Sequence, residues 1–222
     1  MSASALRAKL LTVRALSTIL LAAALAQPAA AQFGSPPGTG GAAAWIGGEA
    51  GTLRAMTLSD GASASTWQLD KATPIRVSVD YGRFERTIGA SISKATMTMV
   101  FDGTSCTKCA AQVAYSQILG RYRAVSPFLM SGLFAATELS AGVTNWGSLK
   151  GVDGAVLGTS GKTATDFTYG LSLGLVLPVG EMVELSVMYG ALQMQHEQQG
   201  NSGKQNIGLN MLRFGGRVRV SR

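Results

Sequence analysis

The chain is poor in the residues from which chemical centres are usually built. It holds two cysteines and one histidine in 222 residues, and only 14% of it is charged. A structural zinc site needs four ligands. Cys106, Cys109 and His196 make three, so no metal and no cofactor is expected. His196-Glu197 invites an enzyme reading, because some membrane barrels hydrolyse or transfer lipid acyl chains. A serine hydrolase needs a serine within reach of its histidine. Here Gln198 and Gln199 follow, and no serine stands two residues from His196 on its strand face. The histidine reads as a rim residue, and no catalytic residue is expected. Past residue 31 there is also no run of ~18 uninterrupted apolar residues, the length a transmembrane helix needs.

Charge excludes another class. Three of the 19 cations (Arg7, Lys9, Arg14) lie in the first 31 residues, leaving 16 against 12 acids. That excess is mild and scattered, so no nucleic-acid partner is expected. The same N-terminal residues form an address. A positive stretch leads into the short apolar run Leu16–Ala26, and Ala29-Ala30-Ala31 supplies small residues for cleavage. Residues 1–31 read as a secretory signal peptide. Residues 32–42, rich in Gly and Pro, read as a flexible leader, and 43–222 as one domain.

What the chain has in plenty is period-two patterning. Thr165, Phe167, Tyr169, Leu171, Leu173, Leu175 and Leu177 share one face of a strand, and Asp166, Thr168, Gly170, Ser172, Gly174 and Val176 the other. Pro178-Val179-Gly180-Glu181 turns the chain. Val183, Leu185, Val187, Tyr189 and Ala191 then oppose Glu184, Ser186, Met188 and Gly190. An ordinary strand has about five or six residues. Alternation held for roughly ten suits a tilted strand crossing a bilayer, and unpaired strand edges in lipid demand closure into a barrel.

The remaining strands are expected at Ala43–Thr57, around Ile75–Tyr81, Thr87–Phe101, Cys109–Val125, Phe128–Thr144 and Gln205–Val220. Two of them change phase. In the third, Ile88, Ala90 and Ile92 fit one face and Ala95, Met97, Met99 and Phe101 the other, which a bulge would reconcile. In the last, Ile207, Leu209 and Met211 give way to Leu212, Phe214, Val218 and Val220. Connections at Gly82–Arg86, Ser126-Pro127 and Pro178–Glu181 are short. Those at Ser59–Ser65, Asp102–Lys108, Asn145–Lys162 and Gln198–Lys204 are longer and polar. Strict alternation of short and long over eight strands is the asymmetry of outer-membrane barrels. The expected fold is all-β, an eight-stranded antiparallel up-and-down transmembrane β-barrel.

In these phrases, Pro127-Phe128-Leu129-Met130-Ser131-Gly132-Leu133 and Tyr169-Gly170-Leu171-Ser172-Leu173-Gly174 above all, the chain resembles the small eight-stranded outer-membrane barrels of the OmpA-transmembrane, OmpX and OmpW type. The resemblance covers Ala43 to Arg222. It departs at the end, where such barrels usually carry an aromatic residue and Phe214 is the last one here. It implies an outer-membrane location, outer-membrane lipid, lipopolysaccharide and the barrel-assembly machinery as partners, and a monomer. The function expected is a structural or surface-interaction role without catalysis. The alternative is a narrow carrier for small hydrophobic molecules, as in the OmpW type, and a lipid-modifying enzyme comes third.

A barrel of eight strands has room inside for side chains and little else. The inward faces carry Glu49, Arg76, Asp80, Glu138, Asp166, Glu184, Arg213 and Arg217. Unpaired buried charge is expensive, so these are expected to pair across the lumen as a structural network; a gated proton or solute path through the same residues is the sharper alternative. Cys106 and Cys109 are expected to form a disulfide in an external loop. Trp45, Trp146 and several tyrosines are expected in the interfacial girdles. The first of these expectations to check is cleavage: mass spectrometry of the exported protein should give a mature chain starting at Gln32, and a retained Met1–Ala31 would refute it.

Overall fold

The computed structural model describes residues 41–53, 56–60, 65–69, 72–103, 106–128, 132–147, 150–151, 164–197 and 204–220. The expected signal peptide and nearly all of the leader lie outside these residues. The strands are β1 (Ala43–Leu53), β2 (Met56–Asp60), β3 (Ser65–Leu69), β4 (Ile75–Arg83), β5 (Arg86–Gly103), β6 (Cys106–Pro127), β7 (Phe134–Trp146), β8 (Lys150–Gly151), β9 (Ala164–Val179), β10 (Val183–Glu197) and β11 (Lys204–Arg219). Eight of them close a ring in the order β1, β4, β5, β6, β7, β9, β10, β11. The closing pair is antiparallel and runs from Trp45↔Arg219 to Leu53↔Met211. Every other neighbouring pair is antiparallel too, so the barrel is up-and-down.

Alternation sets which side chains meet lipid. On β4, Ile75, Val77, Val79 and Tyr81 are between 54% and 65% exposed, while Arg76, Ser78 and Asp80 are buried. The same apolar belt continues through Ile88, Ile92, Ile118, Leu139, Leu171, Leu173, Leu185, Phe214 and Val218, all exposed. Closure pairs the backbone and the belt covers the outside, which are the two conditions for spanning a bilayer with strands.

The two phase changes have one explanation. On β5 a single phase holds from Thr87 to Met99: Thr87, Ser91, Ser93, Met97 and Met99 are buried and Ile88 and Ile92 exposed. Pairing with β6 runs unbroken from Arg86↔Ala124 to Phe101↔Cys109, and the register shifts only between Phe101 and Gly103. The expected bulge is therefore absent from that stretch. On β11, Leu209, Met211, Arg213 and Arg217 are buried while Phe214 and Val218 are exposed, again in one phase. What changes along both strands is the chemistry of the lumen. Toward the long-loop end it is filled by Leu53, Met97, Met99, Val113, Tyr115, Leu192, Met194, Leu209 and Met211, so apolar residues cross from the lipid face to the inner face.

The connections also differ from expectation. Within Ser59–Ser65 and Asp102–Lys108 the described residues are strand: β2 pairs with β3, β3 with β5, and Gly103 with Cys106. These polar segments continue the wall beyond the apolar belt, where polar side chains cost nothing. At the Asp102–Lys108 tip Lys108 takes φ 53° and its N–H donates to Asp102 Oδ1 at 3.3 Å. The turn expected at Ser126-Pro127 lies after it. Pro127 still pairs with Phe134, Phe128 N–H donates to the Leu133 carbonyl at 3.0 Å, and Gly132 supplies φ 82°, so the fifth ring strand starts at Phe134 rather than Phe128. The phase of β5 has a direct check. In a background with Cys106 and Cys109 replaced by serine, a water-soluble maleimide should label T98C in the folded barrel and leave M97C and M99C protected; the reverse pattern would restore the bulge.

Candidate functional site in the barrel lumen

Every ring strand aims a polar group into the middle of the barrel. β1 supplies Glu49, β4 Arg76 and Asp80, β6 Arg121 and Arg123, β7 Glu138, β10 Glu184, and β11 Arg213 and Arg217; all nine are buried. β5 and β9 add Thr87 and Ser172. Large inward side chains fit because the positions beside them are small. Gly89 stands opposite Asp80, and a Cβ on it would lie 2.3 Å from Asp80 Oδ1.

The nine charges form one connected network. Arg213 binds Glu49 at 2.7 Å and Glu138 at 3.1 Å, and Arg76 binds Glu138 at 2.9 Å. Arg121 lies 3.4 Å from Glu138, 3.7 Å from Glu49 and 3.0 Å from Asp80. Asp80 leads at 3.9 Å to Arg217, which binds Glu184 at 2.8 Å, and Glu184 also takes Arg123. Neutral groups add to the network: Arg213 donates to Ser172 Oγ at 2.8 Å and Arg217 to Thr87 Oγ1 at 3.0 Å. Ionised groups this dry persist only when paired and hydrogen-bonded.

Apolar side chains seal the network at both ends. At the short-turn end Trp45, Phe84, Val125, Val176 and Met188 pack together. Phe84 meets Phe134 edge-on at 5.1 Å, and the Arg217 guanidinium lies 4.5 Å over the Trp45 ring. At the other end the Met- and Leu-rich cluster described above covers the charges. A chain of neutral hydrogen bonds links Tyr115 to Gln117, Gln117 to Thr144 and Thr144 to Thr168, the last at 2.6 Å.

The structure brings together seven of the eight residues expected in the lumen network: Glu49, Arg76, Asp80, Glu138, Glu184, Arg213 and Arg217. Asp166 is inside the barrel but near the long-loop end, where its carboxylate accepts the Trp146 indole N–H at 2.6 Å. Arg121 and Arg123 escaped the sequence reading because the fourth strand was given no phase. The signal was present: both share parity with Gln117 and oppose Ile118 and Tyr122. Trp45 and Trp146 are not in the girdles. Trp45 shares parity with Glu49 and is 1% exposed, and Trp146 points inward with Thr144. Of the tyrosines, Tyr81, Tyr122, Tyr169 and Tyr189 do face outward and Tyr115 does not. Cys109 is in a disulfide; the side chains of Cys106, its expected partner, and of His196 and Glu197 lie outside the described residues.

No family model matches the sequence, and no curated protein sequence matches it either. Solved structures do. The chain is similar to Neisserial surface protein A, NspA, at 15% identity and a TM-score of 0.56, covering 82% of this chain and 100% of that one. It is similar to the outer membrane protein OprG from Pseudomonas aeruginosa at 12% identity and a TM-score of 0.52, covering 85% and 100%. Its fold is that of the small eight-stranded outer-membrane β-barrels. Glu138 touches three arginines, so E138A should destabilise the vesicle-inserted barrel by about 3–5 kcal/mol in urea unfolding, the cost of breaking a buried pair from one side. A loss below about 1 kcal/mol, the level of an exposed pair, would show that water reaches the layer.

Proposed function

We propose that this chain is an outer-membrane barrel with a closed lumen, whose task is structural or lies at its long-loop end, in contacts outside the cell. It performs no catalysis in this reading, works as a monomer, is inserted by the barrel-assembly machinery, and is exported on its N-terminal signal peptide. The observation that carries the proposal is the filling of the lumen. A solute moving along the axis would have to displace an aromatic plug, part ten ion pairs among nine charges, and then pass a second apolar cluster. Carriage of small hydrophobic molecules along the lumen meets the same charges and is disfavoured with it.

At the long-loop end the wall is extended instead. β6 runs for 22 residues and β5 for 18, and β2, β3 and β8 add strands beside them. This leaves a sheet standing past the apolar belt, and such a surface suits protein or glycan contact. Two measurements test the proposal. In planar bilayers the purified barrel should give no steady conductance above the bare membrane; sustained openings would refute the closed lumen. An epitope inserted after Gly103 should be detected on intact cells and one inserted after Gly180 only after permeabilisation. The opposite result would overturn the orientation.

A further inference from the structure

The outer wall of β4–β7 changes character within one residue pair. Val77, Ile92, Ile118 and Val143 are neighbours across these four strands, all outward and all apolar. One pair further toward the long-loop end the neighbours are Ile75, Lys94, Ser116 and Asn145. Lys94 is exposed, and Ile75 beside it is 65% exposed. A shallow groove of about 600 Å³ runs over this row, with Thr73 and Thr96 among its walls. That volume is in the range of small-molecule sites. An apolar floor and one ammonium group thus share a concave surface where the belt meets water.

The ladder of the wall is also interrupted here. β3 pairs with β5 down to Leu69↔Met99, and β4 begins at Ile75↔Lys94. Between these points the edge of β5 that faces away from β6, from Ala95 to Thr98, has no ladder partner among the described residues. The chain opposite is held on its other side, where it continues the β1–β4 register with Gly51 N–H bonded to Pro74 O and Leu53 N–H to Ala72 O, both at 2.9 Å. Backbone polar groups at a membrane surface call for polar partners, which an acyl chain does not have. Hydroxyls and an amide stand around the same spot: Thr73, Thr96, Ser116 and Asn145. Thr165 donates to Asn145 Oδ1 at 2.8 Å, which leaves the amide nitrogen as a donor.

We propose that this groove binds one phosphorylated glycolipid of the outer leaflet, with Lys94 on a phosphate, the hydroxyl and amide groups on its sugars, and an acyl chain laid down over Ile75 and Ile92. The inference rests on the orientation proposed above, with the long-loop end outward. A lysine suits a phosphate as a compact point charge, and its stem can lie along the apolar wall while its head stays in the polar layer. The density of neutral donors and acceptors matches sugar hydroxyls rather than a glycerol phosphate, which has few.

Native mass spectrometry of the micelle-folded, full mature barrel tests this with three probes: bisphosphorylated lipid A, the same lipid A dephosphorylated, and phosphatidylglycerol. The wild type should retain one bisphosphorylated lipid A. K94Q should weaken that retention about tenfold, the loss of one charged contact, and K94R should restore it. Dephosphorylation should cost a similar factor, and S116A/N145A should weaken lipid A without strengthening phosphatidylglycerol. Equal retention by wild type and K94Q would overturn the site, and phosphatidylglycerol held as well as lipid A would overturn the glycolipid assignment. Lys94 is exposed, and a gel-mobility shift on boiling reports closure of each variant separately. Failure of the surface-epitope test would remove the orientation while leaving micelle binding as measured, so the two readings fall separately.

Discussion

Charge held away from water must be paired, and in this barrel that single requirement ties eight strands to one another. A lone arginine or carboxylate in the lumen would cost several kcal/mol. The structure meets that cost by letting each acid touch more than one arginine: Glu138 touches three, Glu49 three, and Asp80 and Glu184 two each. The geometry leaves little freedom. A slip of one residue on β4, β6 or β11 would reverse its faces and turn an arginine toward lipid, at about 2–4 kcal/mol near the bilayer midplane. The small residues follow from the same demand. Gly215 stands where a Cβ would come 2.8 Å from Glu49 Cγ, and without that space the Glu49–Arg213 contact would have to move.

The second level of order is vertical. Outside, the wall is apolar in a belt and polar beyond it. Inside, the order is apolar, charged, then apolar again. Because these two profiles are out of step, a strand such as β5 presents Ile92 to lipid and Met97 to the lumen without any irregularity in its ladder. A reading that equates apolar with lipid-facing must interpret this as a change of phase. Period-two patterning reports faithfully which residues share a face, but not which face is which once both are greasy.

That distinction explains what was legible. β9 and β10 alternate small or polar residues against large apolar ones, and their faces are those the sequence predicts, although β9 runs on through Pro178 and Val179 and the turn comes after them. Asp80, Glu138, Glu184, Arg76, Arg213 and Arg217 follow by parity from clear apolar partners, whereas Glu49 lies on a Gly-rich strand whose alternation is weak. Arg121 and Arg123 sit on a strand whose apolar residues, Leu119 and Ile118 among them, occur on both faces, so no parity suggested itself. The tryptophans were misplaced by composition: a girdle preference is statistical, whereas Trp45 follows Glu49 in parity and must go inside. The described ends of the polar stretches Ser59–Ser65 and Asp102–Lys108 read as loops because, above a membrane, strands no longer need an apolar face to be stable, only a neighbour to pair with.

Glu49 and Arg213 sit 164 residues apart in the chain and 2.7 Å apart in the barrel. One is on the first strand and the other on the last, so this ion pair does not exist until the ring shuts. A sheet of seven strands would leave the first strand's acid without this cation and the central layer with a deficit that lipid cannot supply. β11 brings four of the ten ion pairs, those of Arg213 and Arg217, while the other six lie among the earlier strands. The same arrangement makes an incomplete copy, lacking either terminal strand, intrinsically recognisable: it exposes an edge and leaves Glu49 or Arg213 without this partner.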